Sequence, residues 1–130
     1  RGNKRKIKFA CSGTKNELDF SFSGIKTAVL YYLKGKKINL RLKQDLAASF
    51  QESVIDILIK KALLACGRKN AKQLLIGGGV VANNRLRQKF AARAKESGIN
   101  CFFPSIDLCM DNAAMVGGLA YQLKRRAYAY

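Results

Sequence analysis

The residues best suited to chemistry are Gly77, Gly78 and Gly79, followed by Asn83, within LLIGGGVVANNRLR at residues 74–87. Glycine tolerates positive φ and lets a ligand approach the backbone, and an asparagine ahead of a helix caps it. A strand that ends in such a turn aims N–H groups and the positive end of a helix dipole at one point, which suits a nucleotide or another anionic ligand. The spacing fits neither G-x-G-x-x-G nor G-x-x-x-x-G-K-[ST], so a Rossmann fingerprint and a P-loop are not supported. A tight turn without a ligand is the alternative reading of the same glycines. Other constellations are missing from the sequence. It has no His, and its four cysteines, Cys11, Cys66, Cys101 and Cys109, form no C-x-x-C pair, which argues against a self-contained zinc site. The same lack of His removes Ser/His, Cys/His and H-E-x-x-H arrangements, and with them a peptidase. Cys11, Cys66 and Cys101 read as small apolar packing residues of a reducing compartment.

To hold the turn in place, the chain needs a strand before it and a helix behind it. Leu74, Leu75 and Ile76 have strand composition, and residues 83–97 form an Arg- and Lys-rich helix ended by Gly98. A second strand is expected at residues 99–103, closed by Pro104, then a polar loop at 105–112 and a helix at 113–126. Gly117 and Gly118 weaken that helix by about 1 kcal/mol each relative to Ala, so close packing or ligand approach is the expected reason for them.

Upstream, residues 44–66 carry the strongest helical pattern. Asp45, Ser49, Glu52, Ser53, Asp56 and Lys60 form one polar stripe opposite Leu46, Phe50, Val54, Ile57, Leu58 and Ala62, which predicts a largely buried helix that Gly67 terminates. Apolar residues at 25, 28, 29, 32 and 33 predict another helix. Between Asp19 and Gly24, Phe20 and Phe22 alternate with Ser21 and Ser23, which predicts a strand or extended loop with both rings in the core, broken by Gly24. Residues 34–43 read as an exposed basic connection, and residues 7–10 as a short strand followed by a turn. Helices alternating with strands indicate α/β architecture, with parallel strands joined by right-handed crossovers. Ligands then belong at the carboxyl ends of the strands, where the glycine turn and the loop after Phe103 both fall.

A length of 130 residues supports a single compact domain, and 48% hydrophobic content with one proline argues against disorder. No run approaches the roughly 20 apolar residues of a membrane helix, and the basic opening leads into no secretory signal, so a soluble, cytoplasmic chain without a membrane partner is expected. A start inside a charged run, without Met, reads as a piece of a longer protein. The net charge of +17 favours a polyanion, nucleic acid first.

Three segments together resemble a known family: DFSFSGIKTAV at residues 19–29, GGVVANNRLR at 78–87 and LCMDNAAM at 108–115. They look like the TsaD-type tRNA threonylcarbamoyltransferases, once described as O-sialoglycoprotein endopeptidases. ASFQESVIDILIKKAL at 48–63 is similar to that family's long helix. The resemblance implies the second lobe of an actin/sugar kinase/heat-shock-type ATPase fold, a short sheet with packed helices, with the nucleotide bound between two lobes. It implies that Gly78, Gly79 and Asn83 contact threonylcarbamoyl-AMP or ATP, and that the threonylcarbamoyl group passes to N6 of adenosine 37 in tRNAs reading codons that begin with A. It further implies that Asp111 joins an upstream His pair in binding one divalent metal ion, iron or zinc. The chain departs from the family here, since it holds no His and Met110 stands where Thr is usual. An N-cap for the following helix is the alternative role for Asp111. Lys26, Arg85 and Arg87 are candidates to face phosphate or tRNA.

Family partners are a paralogous inactive subunit and a small ATPase in bacteria, or a kinase-like protein elsewhere. A second copy of this chain is the alternative occupant of the surface that would face the first lobe. The chain alone is expected to be inactive. A non-catalytic basic nucleotide- or RNA-binding or assembly module is the competing functional reading.

Overall fold

The computed structural model describes residues 2–10 and 15–127, with side chains through Arg125. Cys11, one of the cysteines expected to pack as an apolar group, lies outside the described residues. The chain falls into two compact units, Arg1–Lys72 and Gln73–Tyr130.

Unit 1 contains two helices, α1 (Phe22–Leu33) and α2 (Leu40–Arg68). Helix α1 buries the face its spacing predicts: Ile25 is buried, and Val29, Tyr32 and Leu33 are half-buried. Its start differs from expectation. Ser21 Oγ accepts from the Gly24 N–H (3.3 Å), so residues 22–24 enter the helix instead of extending, and Gly24 does not interrupt it. Phe20 and Phe22 are consequently 45% and 47% exposed and stack on each other at 5.9 Å, outside the core. A local cap has overridden the alternation of side chains.

Helix α2 is 29 residues long and begins upstream of the expected Gln44, because Asn39 Oδ1 caps the Leu42 N–H (2.8 Å). It also runs through Gly67. Asn70, at φ 50, takes the left-handed position, while the Ala71 N–H reaches the Cys66 carbonyl (2.9 Å) and the Asn70 N–H reaches that of Gly67 (3.2 Å). These two bonds form a Schellman stop built on asparagine. Burial on α2 also corrects the simple amphipathic picture. Asp45, Ser49 and Ser53 of the polar stripe are buried together with Ile55 and Ile59, whereas Leu46, Phe50, Val54, Ile57, Leu58 and Ala62 are half-buried.

The cover over the stripe is residues 3–9. Asp45 Oδ1 accepts the Asn3 N–H (2.7 Å), Asp45 Oδ2 accepts Lys6 Nζ (2.9 Å), and Ser49 and Ser53 Oγ accept the Ile7 and Phe9 N–H groups (3.2 and 3.1 Å). The strand expected at residues 7–10 is therefore an extended segment whose hydrogen bonds go to a helix's side chains. Phe9 anchors its end, buried edge-on against Tyr32 (6.1 Å) and Phe50 (6.4 Å). Lys61 donates to the Asp19 carbonyl and Arg68 pairs with Glu17, which ties the next segment to α2 as well.

Two outcomes follow for unit 1. Ser49→Ala strands the Ile7 N–H and the Asn3 carbonyl and is expected to cost about 1–3 kcal/mol, read as a lower denaturant midpoint. The Asn3 N–H, then Lys6, hold the Asp45 carboxyl below its ordinary value of 3.8. A depressed folded-state value means stability that is complete above pH 3.8 and lost as pH falls through the lowered value. Acid unfolding of unit 1 should begin in that window, and Asp45→Asn should remove that dependence while lowering stability at neutral pH.

Unit 2 contains β1 (Gln73–Leu75), α3 (Asn84–Glu96), β2 (Asn100–Phe102) and α4 (Ala113–Ala127). The strands pair in parallel, Leu74 opposite Cys101 and Leu75 opposite Phe102, and the Ile76 N–H extends the ladder to the Phe102 carbonyl (3.0 Å). Helix α3 packs on β2 through Leu86, Phe90 and Ala94, all buried. Gly98, at φ 66, ends α3 as expected, with Ile99 N–H on the Ala94 carbonyl (2.9 Å). The short two-stranded parallel sheet with helices is mixed α/β, as read from the sequence. Among the described residues, no helix is long and apolar enough to cross a membrane.

Candidate functional site

The parallel pairing makes the chain leave β1 and β2 in the same direction, so the turn after Ile76 and the loop after Phe102 emerge at one edge of unit 2. Along the first of these, Gly78 adopts φ 95 and ψ 166, a conformation essentially reserved for glycine, and a 3-10 turn at Gly79–Ala82 leads into α3. Among the described residues, a Cβ built on Gly77, Gly78 or Gly79 would meet no atom within 4 Å beyond its chain neighbours, so the backbone is open to approach. The three glycines thus separate by role. Gly78→Ala is expected to strain the turn by about 1–3 kcal/mol, whereas Gly77→Ala and Gly79→Ala should leave thermal stability within about 0.5 kcal/mol of wild type. Ligand affinity lost in Gly79→Ala without lost stability would mark the backbone a ligand touches.

Asn83 occupies the cap position read from the sequence, its Oδ1 accepting the Leu86 N–H at 3.0 Å. The first turn of α3 carries no acidic residue and holds Arg85 and Arg87, so the positive end of the helix dipole is reinforced and an anion is favoured beside it. Arg85 is half-buried, and Lys26, on α1, is exposed. Arg87 differs from the phosphate-facing role considered for it. Its Nε donates to the Val81 carbonyl (2.7 Å), and its Nη2 donates to the Pro104 carbonyl (2.6 Å) and to Cys109 Sγ (3.0 Å), with the guanidinium 5.5 Å from the Phe103 ring centre. Composition gave no sign of this. The one available signal was an Arg one turn inside a helix that follows a glycine turn.

The second loop includes a 3-10 turn at Ile106–Leu108 and places buried Cys109 between Arg87 and the Ser105 carbonyl. Asp107, hydrogen-bonded chiefly by the Ser105 hydroxyl, has its carboxyl held below the ordinary range. Asp111 is exposed, and Asn112 rather than Asp111 caps α4, its Oδ1 accepting the Met115 N–H (3.0 Å). The Arg87 hydrogen bonds thus tie the turn at Val81 to Pro104 and Cys109, two residues before Asp111, and the capping role belongs to Asn112. Among the described residues, no cluster of three His, Cys, Asp or Glu side chains is arranged to hold a metal. Cys66 and Cys109 are buried and Cys101 is half-buried. Helix α4 is exposed throughout its described side chains, Met115, Val116, Leu119 and Leu123 included, and Gly117 and Gly118 have no close neighbour among the described residues.

An open glycine turn at a helix N-terminus offers backbone N–H groups and a dipole end that favour an anion. Residues 1–118 match the family model described as tRNA N6-adenosine threonylcarbamoyltransferase. A Clostridium botulinum (strain Hall) protein of that name is 46% identical over 126 residues, covering 92% of this chain and 36% of the relative. A Moorella thermoacetica protein of the same name is 44% identical over 135 residues, covering 98% of this chain and 39% of the relative, and one from Kosmotoga olearia is 46% identical over 112 residues, covering 86% and 33%. The chain belongs to the tRNA N6-adenosine threonylcarbamoyltransferase family. It spans little more than a third of the length of these relatives.

Proposed function

We propose that this chain is the second-lobe portion of a two-lobed enzyme that transfers a threonylcarbamoyl group from threonylcarbamoyl-AMP to N6 of adenosine 37 in tRNA. The adenine N6 amine attacks the carbamoyl carbon, the bond from that carbon to the phosphate oxygen breaks, AMP leaves, and the amine gives up one proton. In this reading Gly78 and Gly79 let the adenylate approach the backbone, Asn83 contacts it, and the N-terminus of α3 favours its phosphate. Asp111 would supply one anionic oxygen to a divalent metal, iron or zinc, whose remaining ligands come from elsewhere in the full-length protein. Such an ion orients and polarises a carbonyl. The observation that carries the reading is the meeting of the glycine turn and the Asp111 loop at one strand edge, within the residues that match the family. The exposed apolar side chains of α4 fit a helix made to pack on a first lobe.

Unit 1 has 17 basic residues against 5 acidic ones and unit 2 has 8 against 3, so the field that would draw tRNA is strongest on unit 1. That concentration also favours the second reading, a non-catalytic RNA-binding module. The relatives named above are bacterial, which favours a paralogous subunit and a small ATPase as partners, in the cytoplasm where tRNA is modified.

The test is a transfer assay with full-length protein, its partners, threonylcarbamoyl-AMP and tRNA, scoring the modified nucleoside. Wild type should be active, Asn83→Ala and Asp111→Ala impaired, and the 130-residue chain alone inactive. Wild-type rates in both variants would refute the site. RNA binding without transfer by the full-length protein would establish the module reading instead.

A further inference from the structure

Arg87 is half-buried and spends its guanidinium on three segments at once: the 3-10 turn that follows the glycines, the chain at Pro104, and Cys109, two residues before Asp111. Two of the acceptors are main-chain carbonyls and the third is a thiol. No carboxylate pairs with it among the described residues, so its charge stays uncompensated beside the N-terminus of α3. A planar guanidinium presents several donors in fixed directions, which a lysine ammonium cannot reproduce. The Phe103 ring, 5.5 Å away and itself edge-on to buried Phe90 at 6.4 Å, limits where the fork can sit.

We infer that Arg87 is a positioning residue that locks the Asp111 loop to the glycine turn, so that the two loops keep one geometry and loosen together. Everything needed for this is on α3 and its neighbours. The helix is fixed to β2 by Leu86, Phe90 and Ala94, and the fork extends that rigidity to two loops that each hold a short 3-10 turn. The charge adds a second effect, because it draws an anion toward the turn whether or not the fork is intact. Fork and charge are therefore separable by substitution: Arg87→Lys keeps the charge and loses the fork, and Arg87→Met loses both.

The first measurement is amide hydrogen exchange in the full-length protein. Arg87→Lys should accelerate exchange in residues 77–83 and in residues 104–112 together, while α2 in unit 1 remains as in wild type. The second rests on the transferase reading. Arg87→Lys should lower kcat about 10- to 100-fold, the range seen when groups that orient a site's ligands are removed, with KM for threonylcarbamoyl-AMP within about twofold of wild type. Arg87→Met should show the same fall in kcat and a raised KM.

Acceleration in one loop alone, or in neither, overturns the inference, as does a fall in kcat without faster exchange. Loss of α3 helicity in both variants also overturns it, since Arg87 would then be a folding residue. If wild type shows no transfer, the transferase reading fails and the exchange result alone decides the role of Arg87.

Discussion

Asp111→Ala is expected to lower threonylcarbamoyl transfer by the full-length protein about 100-fold or more while leaving its thermal unfolding unchanged. The second half of that expectation comes from the loop. Asn112, not Asp111, closes the first turn of α4, so deleting the neighbouring carboxylate costs the helix no cap. Asp111 is exposed, so the substitution removes a solvent-facing carboxylate rather than a packing contact. Asp107→Ala is the matched control, an acidic residue on the same loop whose carboxyl is engaged by Ser105, and transfer should stay within about threefold of wild type. Asn112→Ala is the converse: about 1 kcal/mol of stability lost with the cap. Measured rates for Asp111→Ala equal to those of wild type, with metal content unaltered, would remove Asp111 from the site.

The largest stability effect is expected at Phe90. It is 3% exposed at the centre of the α3 face that covers β2, edge-on to Phe103. Phe90→Ala deletes an aromatic ring from a closed position and leaves a void that a short two-stranded sheet has little means to fill. About 3–5 kcal/mol of stability should be lost, read by denaturant unfolding with a probe in unit 2. Because Phe103 borders the Arg87 guanidinium, the same substitution should loosen the fork, and exchange in residues 104–112 should rise before global unfolding. A cost under about 1 kcal/mol would mean that the site collapses readily and that the core of unit 2 lies elsewhere.

What could be read from the sequence were the features decided within a few residues. The buried face of α1, the Asn83 cap, the Gly98 stop and the strand before the glycine turn are each set by neighbours, and each stands where the spacing puts it. Features set at long range were illegible. Ser49 and Ser53 look like the wet side of an amphipathic helix until partners 42 and 44 positions away cover them. Arg87 looks like a surface charge until Pro104 and Cys109, 17 and 22 positions on, supply its acceptors. Phe20 and Phe22 failed for a different reason: two local signals competed there, and a serine cap outweighed the period-two pattern. Gly67 failed because a helix stop needs one left-handed residue, and Asn70 provided it three residues later.

The way residues 3–9 lie on α2 has a consequence for mutational tolerance. The helix grips the segment mainly by its peptide groups, through the N–H of Asn3, Ile7 and Phe9 and the carbonyl of Asn3. Peptide groups are common to nearly every amino acid, so outward-pointing positions such as Lys4, Arg5 and Lys8 are free to change identity at little cost, provided none becomes proline where an N–H is required. The specificity is written on the other partner. A library randomised at both places should accept wide variation at Lys4, Arg5 and Lys8 and almost none at buried Phe9 or at Asp45, Ser49 and Ser53.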